Sequence, residues 1–233
     1  MKALDRKNAL FQAIIKEYIK TAKPVGSEFL VENCGLDCSS ATARNYMAEL
    51  EKEGLIHQPH TSAGRVPSSK GYQYYLDNFF NKDIELHKKH VDALTGLAKT
   101  GKDPEQTLKN ISKAIAELAN ETIVLSLQEN SFYYTGISNL FQKPEFQDIK
   151  VIYNLSEIID QFDEVMASLH KKELKAPEIL VGEKNPFSPQ CSLVVAPYNF
   201  KHGLNGVFGI LGPTRMDYGL NYSLIKYINN FNK

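Results

Sequence analysis

Residues 39–72, SSATARNYMAELEKEGLIHQPHTSAGRVPSSKGY, admit few folds. Ser39 and Ser40 are good N-caps, because a hydroxyl accepts from the unpaired N–H groups of a first helical turn. Ala43, Met47 and Leu50 then recur at helical spacing and give one apolar stripe. The opposite face carries Ser40, Ala41, Arg44, Asn45 and Glu49, small or hydrogen-bonding at its start and acidic toward its end. Gly54 stops the helix and Leu55-Ile56 begins a strand. Pro59 and Pro67 bracket His60 to Val66 around Gly64, a stretch suited to neither helix nor central strand. A helix, a stop, a strand and a tip bearing Thr61, Ser62 and Arg65 make a winged helix-turn-helix the expected fold of this region.

The residues before it complete that unit. Arg6 through Thr21 read as a helix with Leu10, Ala13, Ile14, Ile15, Tyr18 and Ile19 on one face. Pro24-Val25-Gly26 breaks it, Ser27 caps a short helix over 28–33, and Gly35 makes the turn, with Leu36 filling the space between helices. A major groove accepts a helix whose N-terminal half is small and polar, and the guanidinium of Arg44 and the amide of Asn45 suit guanine and adenine edges. Only four of the 27 basic residues are arginines, Arg6, Arg44, Arg65 and Arg215, and two of these stand where helix and wing meet DNA. Arginine's planar fork makes bidentate contacts that lysine's point charge does not. The same pattern also suits a plain helical bundle or a winged helix that docks protein. With 10 Lys/Arg against 8 Asp/Glu over residues 1–75, binding driven by charge alone is not expected.

Several separated motifs stand in one order: KPVGS, the run TARNYMAELEKEGLIHQPHTSAGRVPSSKGY, GISNLFQKPEFQD (136–148), VGEKN (181–185), CSLVVAPY (191–198) and GPTRMDY (212–218). This order resembles the heat-inducible transcription repressor family, HrcA. The resemblance covers the winged-helix region and, more loosely, the chain from Leu118 onward. It implies a bacterial repressor that binds, as a homodimer, an inverted-repeat operator of double-stranded DNA upstream of chaperone operons. It further implies a winged helix followed by a GAF-like domain with an inserted dimerisation domain, and a GroE-type chaperonin as the partner that promotes the active state. By the resemblance Ser40, Thr42, Arg44 and Asn45 belong to the recognition helix and His60, Thr61, Ser62 and Arg65 to the wing; Ser39, at the helix start, joins them in the expected DNA-binding set. The chain departs from the family between Leu118-Ala119 and Phe132-Tyr133, where the insert belongs and only residues 120–131 lie. The dimer contact is then expected from the helix after the wing.

That helix starts with Ser69 as its cap, aligns Tyr72, Tyr75, Leu76 and Phe79, and continues past a break near Asn81-Lys82-Asp83 through Ile84, His87, Val91, Leu94 and Leu97. After a boundary at Gly101 to Pro104, helices are expected over 104–120, 156–171 and 218–230, a hairpin from 121–128 and 132–137, and strands at 178–181, 191–198 and 204–211. The fold class is therefore α+β, with an antiparallel sheet flanked by helices in a GAF-like second domain. The expected division is a DNA-binding domain at 1–75, a linker helix at 76–102 and the GAF-like domain at 103–233. Net charge is zero overall but +2, +1 and −3 over these three parts.

Other chemistry is not expected. Cys34, Cys38 and Cys191 make an odd count with no disulfide framework, and Cys-x3-Cys without nearby paired histidines does not read as a zinc site. The start MKALDRKNALF has charges where a signal peptide needs its apolar core, and no apolar run approaches the ~18 residues of a membrane span, so a cytoplasmic protein is expected. The glycines of Gly203-x-x-Gly206-x-x-Gly209-x-x-Gly212 lack a following GK[ST], and the six histidines form no H-E-x-x-H or nucleophile set. No enzyme, cofactor or metal is expected. Thr214 and Arg215 leave two readings open: an anion site at the start of the last helix, or a cap by Thr214 with Arg215 paired to Asp217 or Glu145. A rival function is a metabolite-responsive regulator whose GAF-like domain binds a small ligand.

Overall fold

The computed structural model describes residues 3–128, 131–147, 161–172 and 174–231. Its contacts separate into two compact units, Met1–Phe80 and Asn81–Lys233. The first contains α1 (Ala3–Thr21), α2 (Ser27–Asn33), α3 (Ser40–Lys52), β1 (Ile56–His57), β2 (Val66–Pro67) and α4 (Ser69–Asn78). The apolar spacing of α1 buries Leu10, Phe11, Ile14 and Ile15, while Ala13, Tyr18 and Ile19 are only half-buried. The face is turned toward Phe11, whose ring meets Tyr74 and Phe79 edge-on or tilted at 5.7 and 6.3 Å. Ala43, Met47 and Leu50 of α3 are all buried, as their spacing requires.

Local chemistry sets the helix ends. α3 closes in a Schellman motif: Gly54 takes φ +73°, its N–H reaches the Glu51 carbonyl at 2.9 Å, and the Leu55 N–H reaches Leu50 at 2.9 Å. Two expected caps are displaced. Gly26, not Ser27, precedes α2, so Ser27 lies inside that helix, and Ser68, not Ser69, caps α4 by accepting from the Gly71 N–H at 3.0 Å. The helix after the hairpin stops at Asn78 instead of running to a break at 81–83.

The second unit holds α5 (Lys88–Thr100), α6 (Pro104–Ala119), β3 (Thr122–Gln128), β4 (Ser131–Thr135), α7 (Ile137–Phe141), α8 (Phe162–Lys171), β5 (Glu178–Val181), β6 (Cys191–Asn199), β7 (Asn205–Pro213) and α9 (Tyr218–Asn229). α5 packs on α6 through its buried Leu94 and Ala98 side. The five strands pair antiparallel in the order β4-β3-β7-β6-β5. On one face Val124, Leu193, Val195, Val207 and Leu211 pack with Leu140, Phe146, Phe162, Met166, Leu169 and Phe187. Alternate positions Ile123, Leu125, Val194, Phe208 and Ile210 are buried on the other face, where α6 lies on β3 and α9 on β6 and β7. The unit is thus α+β with an antiparallel sheet between helices, an arrangement consistent with a GAF-like domain.

Some sequence expectations shift here. Gly136 ends β4 at φ +75° and starts α7, so the strand expected to reach Ile137 stops early. Residues 156–160 of the expected helix lie outside the described residues. Gly206, Gly209 and Gly212 lie within β7, where a Cβ at Gly209 meets the side chains of Leu193 and Val124 at 2.9 Å; close packing, not phosphate binding, explains them. Asp217, not Thr214, caps α9, accepting from the Leu220 N–H at 3.0 Å, and this carboxylate fills the place that the anion-site reading gives to a ligand. Arg215 pairs with Glu145. Beside it Glu121, 4% exposed, pairs with Lys143 at 3.1 Å. Burial pushes the Glu121 carboxyl up to about 7, with Lys143 opposing the rise.

Candidate nucleic-acid interface

α3 presents its first half outward. Ser39 caps it, its Oγ accepting from the Thr42 N–H at 3.1 Å and lying 3.0 Å from the Thr42 hydroxyl. Those two hydroxyls are therefore turned on the helix end. Ser40 is half-buried, while Ala41, Arg44 and Asn45 are exposed. The acids of α3 and its C-cap are drawn elsewhere, since Lys7 of α1 lies 2.7 Å from Glu53 and 3.7 Å from Glu49. The hydrogen bond to Glu53 raises the Lys7 ammonium above its ordinary range, against the effect of burial. No carboxylate stands on α3 itself from Ser40 to Asn45, its first one and a half turns or so.

The hairpin after α3 is built around Glu51. β1 and β2 pair Ile56 with Pro67 and His57 with Val66, and Val25 adds a third partner through two 2.9 Å bonds to Arg65. A Cβ at Gly64 lies 2.4 Å from the Val25 carbonyl oxygen, so this close approach needs glycine. Glu51 Oε1 accepts from the Gln58 N–H at 3.1 Å, and Oε2 accepts from Arg65 Nε at 3.1 Å and Nη2 at 3.0 Å. Gln58 in turn donates to the Ala63 carbonyl at 3.0 Å. At the tip the Ala63 N–H reaches the His60 carbonyl at 2.9 Å, closing a turn with Ser62 at φ +79° in its third position. His60, Thr61 and Ser62 are exposed.

Arg44 and Arg65 differ in their surroundings. The Arg44 side chain is 63% exposed, with Nε donating to Ser27 Oγ at 3.2 Å and Nη2 to Glu28 Oε1 at 3.0 Å. The Arg65 side chain is 20% exposed and closed on Glu51, so its present role is to hold the hairpin to α3. Of the nine expected residues, Arg44, Ser62 and Arg65 share one groove of about 420 Å³ with Glu28 and Gln58. Ser40, Thr42 and Asn45 lie on α3 with Ser39 as its cap, and His60 and Thr61 at the tip, outside that groove's lining. Nothing in the local pattern singles out Glu28, Glu51 and Gln58. Only the scarcity of arginine hints at them, since each planar fork calls for acceptors.

A family model, the HrcA protein C-terminal domain, matches residues 73–220. The chain belongs to the HrcA family. It is 28% identical to the heat-inducible transcription repressor HrcA of Thermoanaerobacter pseudethanolicus over 329 aligned positions, covering 98% of this chain and 95% of the relative. It is 26% identical to the HrcA of Halalkalibacterium halodurans over 327 positions, covering 97% and 95%. An alignment of 329 positions against 233 residues leaves at least 96 positions of that HrcA relative, 329 minus 233, without a counterpart here. A solved structure described as the crystal structure of a hypothetical protein at 2.2 Å resolution shares the fold, with a TM-score of 0.73 and 18% identity over 97% of this chain and 94% of that one. The HrcA relatives are named repressors, not enzymes. Among the described residues no helix is long and apolar enough to cross a membrane.

Proposed function

We propose that this chain is a sequence-specific, DNA-binding transcriptional repressor of heat-shock chaperone operons. It acts in the cytoplasm as a homodimer on an inverted-repeat operator, with a GroE-type chaperonin favouring its active state. The first unit is the winged helix and the second the GAF-like regulatory part. One observation carries the reading: α3 offers Arg44 and Asn45 from a capped half free of acids, beside a hairpin locked to the same helix through Glu51. The family supplies the biology, since relatives covering nearly the whole chain are named heat-inducible repressors.

Ser40, Arg44 and Asn45 enter the DNA major groove, with Ser39 and Thr42 at the helix end toward phosphate. His60, Thr61 and Ser62 touch backbone from the tip, and Arg65 aims that tip. α5, with Leu97 37% exposed, is the dimer contact in place of the insert found in longer relatives. The rival, a small metabolite held in the GAF-like unit, draws no support from the sheet face filled by Phe146, Phe162, Met166 and Phe187.

The test is binding of the purified chain to an inverted repeat and to a single half-site across a salt series, with mass followed by light scattering. Repeat-dependent binding by a dimer is expected, and Arg44→Ala should cost about 1–3 kcal/mol at one base pair of each half-site. An equal loss on all sequences assigns Arg44 to phosphate instead. No binding to any duplex removes the reading.

A further inference from the structure

Ser27 and Glu28 of α2 hold the guanidinium of Arg44 by one edge. Nε donates to Ser27 Oγ and Nη2 to Glu28 Oε1, at 3.2 and 3.0 Å. In the planar fork, Nε and the adjacent Nη2 proton form one side, which the protein itself therefore occupies. The end of the fork, Nη1 with the second Nη2 proton, makes no hydrogen bond among the described residues and belongs to a side chain 63% exposed. Two parallel donors at that spacing match O6 and N7 of guanine. Glu28 is itself 72% exposed, and only its Oε1 is engaged among the described residues. A free carboxylate oxygen accepts from the N4 amine of cytosine and repels the O4 acceptor of thymine.

We infer that Arg44 and Glu28 form a composite reader of one G·C base pair in each half-site. Arg44 takes guanine with the end of its fork, and Glu28 takes the cytosine amine beside it while rejecting thymine at that place. The inference rests on the reading of α3 as the helix that enters the major groove. Ser27, buried inside α2, is a positioning residue that fixes the plane of the fork. Affinity does not account for Glu28. An exposed ion pair adds little to stability, and a carboxylate among phosphates weakens binding to every sequence. Selectivity does account for it, because a repulsive group discriminates against the wrong base as effectively as an attractive one favours the right base.

The experiment uses the full chain and a pool of DNA duplexes carrying inverted repeats of randomised half-sites. The selected duplex and its single-pair variants are then titrated with wild type, Glu28→Gln, Glu28→Ala and Arg44→Lys. Wild type should prefer G·C over A·T at one pair of each half-site by about tenfold or more. Glu28→Gln and Glu28→Ala should cut that preference about tenfold at that pair alone, with affinity for the selected duplex held or raised at low salt. Arg44→Lys should lose preference at the same pair. Thermal melts should show the Glu28 variants folded, given the exposure of this side chain. A Glu28→Gln variant that shifts all sequences alike and keeps the preference profile overturns the inference while leaving DNA binding intact. A wild type that enriches no sequence and binds no duplex overturns the DNA-binding reading and this inference with it.

Discussion

In the first unit Arg44–Glu28, Lys7–Glu53 and Arg65–Glu51 join neighbouring elements at or near the surface, whereas in the second Lys143–Glu121 and Arg215–Glu145 sit at the end of the sheet with little exposure. The chemistry of the pairs is the same and the solvent differs. Water screens Arg44–Glu28, so its members can change partners at little cost, whereas Lys7 and Arg65 are mostly covered and stay with their acids. The inner pairs have already lost their hydration, and removing one member strands the other. Arg44–Glu28, the most exposed of these pairs, is thus placed to exchange contacts, while Arg65–Glu51 holds the hairpin and the two inner pairs hold the end of the sheet.

Substitutions ordered by burial test that contrast. Lys143→Ala should be the most damaging, costing about 3 kcal/mol in urea unfolding at pH 8, because it leaves the Glu121 carboxylate buried without its hydrogen-bonded cation and with only the more distant Arg215. The loss should shrink at pH 5, where Glu121 takes up a proton. If it is the same at both pH values, Glu121 is not the group left stranded.

Glu121 also gives the wild type its own pH dependence. Its folded carboxyl is raised from 4.5 to about 7, so the folded state holds the proton more tightly than the unfolded chain. Its contribution is full below pH 4.5, declines as pH rises through about 7 and is gone above that. The range is on the order of 3 kcal/mol. Glu121→Gln should flatten this slope, and a slope that survives the change would locate the proton elsewhere.

Smaller effects belong to the first unit. Arg65→Ala should lower its stability by about 1 kcal/mol through loss of the bonds to Glu51, seen as an earlier melt. The salt slope of DNA binding should change by less than about 1. A larger drop in slope would mean that the guanidinium leaves Glu51 for phosphate. Glu28→Gln should alter stability least, within about 0.5 kcal/mol, in contrast to its effect on base preference.

What the sequence reveals and conceals follows from the range of each interaction. The stripe Ala43, Met47 and Leu50, the stop at Gly54 and the strands of the second unit are legible because periodicity and backbone conformation are written locally. Ser27 is misread as a cap because its partner, Arg44, lies 17 residues away. Asp217 displaces Thr214 because both are competent caps and the course of the chain decides between them. The missing GK[ST] already sets the glycines of β7 apart from a phosphate loop, but the close approach that requires them is visible only with their neighbours from β3 and β6 in place. For the candidate interface, residue type points to Arg44 and Arg65 equally; burial and the Glu51 carboxylate separate them.

Glu51 sits near the end of α3 and grips both legs of the hairpin, one through the Gln58 backbone and the other through the Arg65 side chain. The three form a truss: helix and tip can tilt together but cannot spread apart. Such a part works as a gauge of fixed span rather than as a hand that adapts its grip. A change in what it fits would then come from exchanging the exposed side chains at positions 41, 44 and 45 or at the tip, while the frame keeps its dimensions.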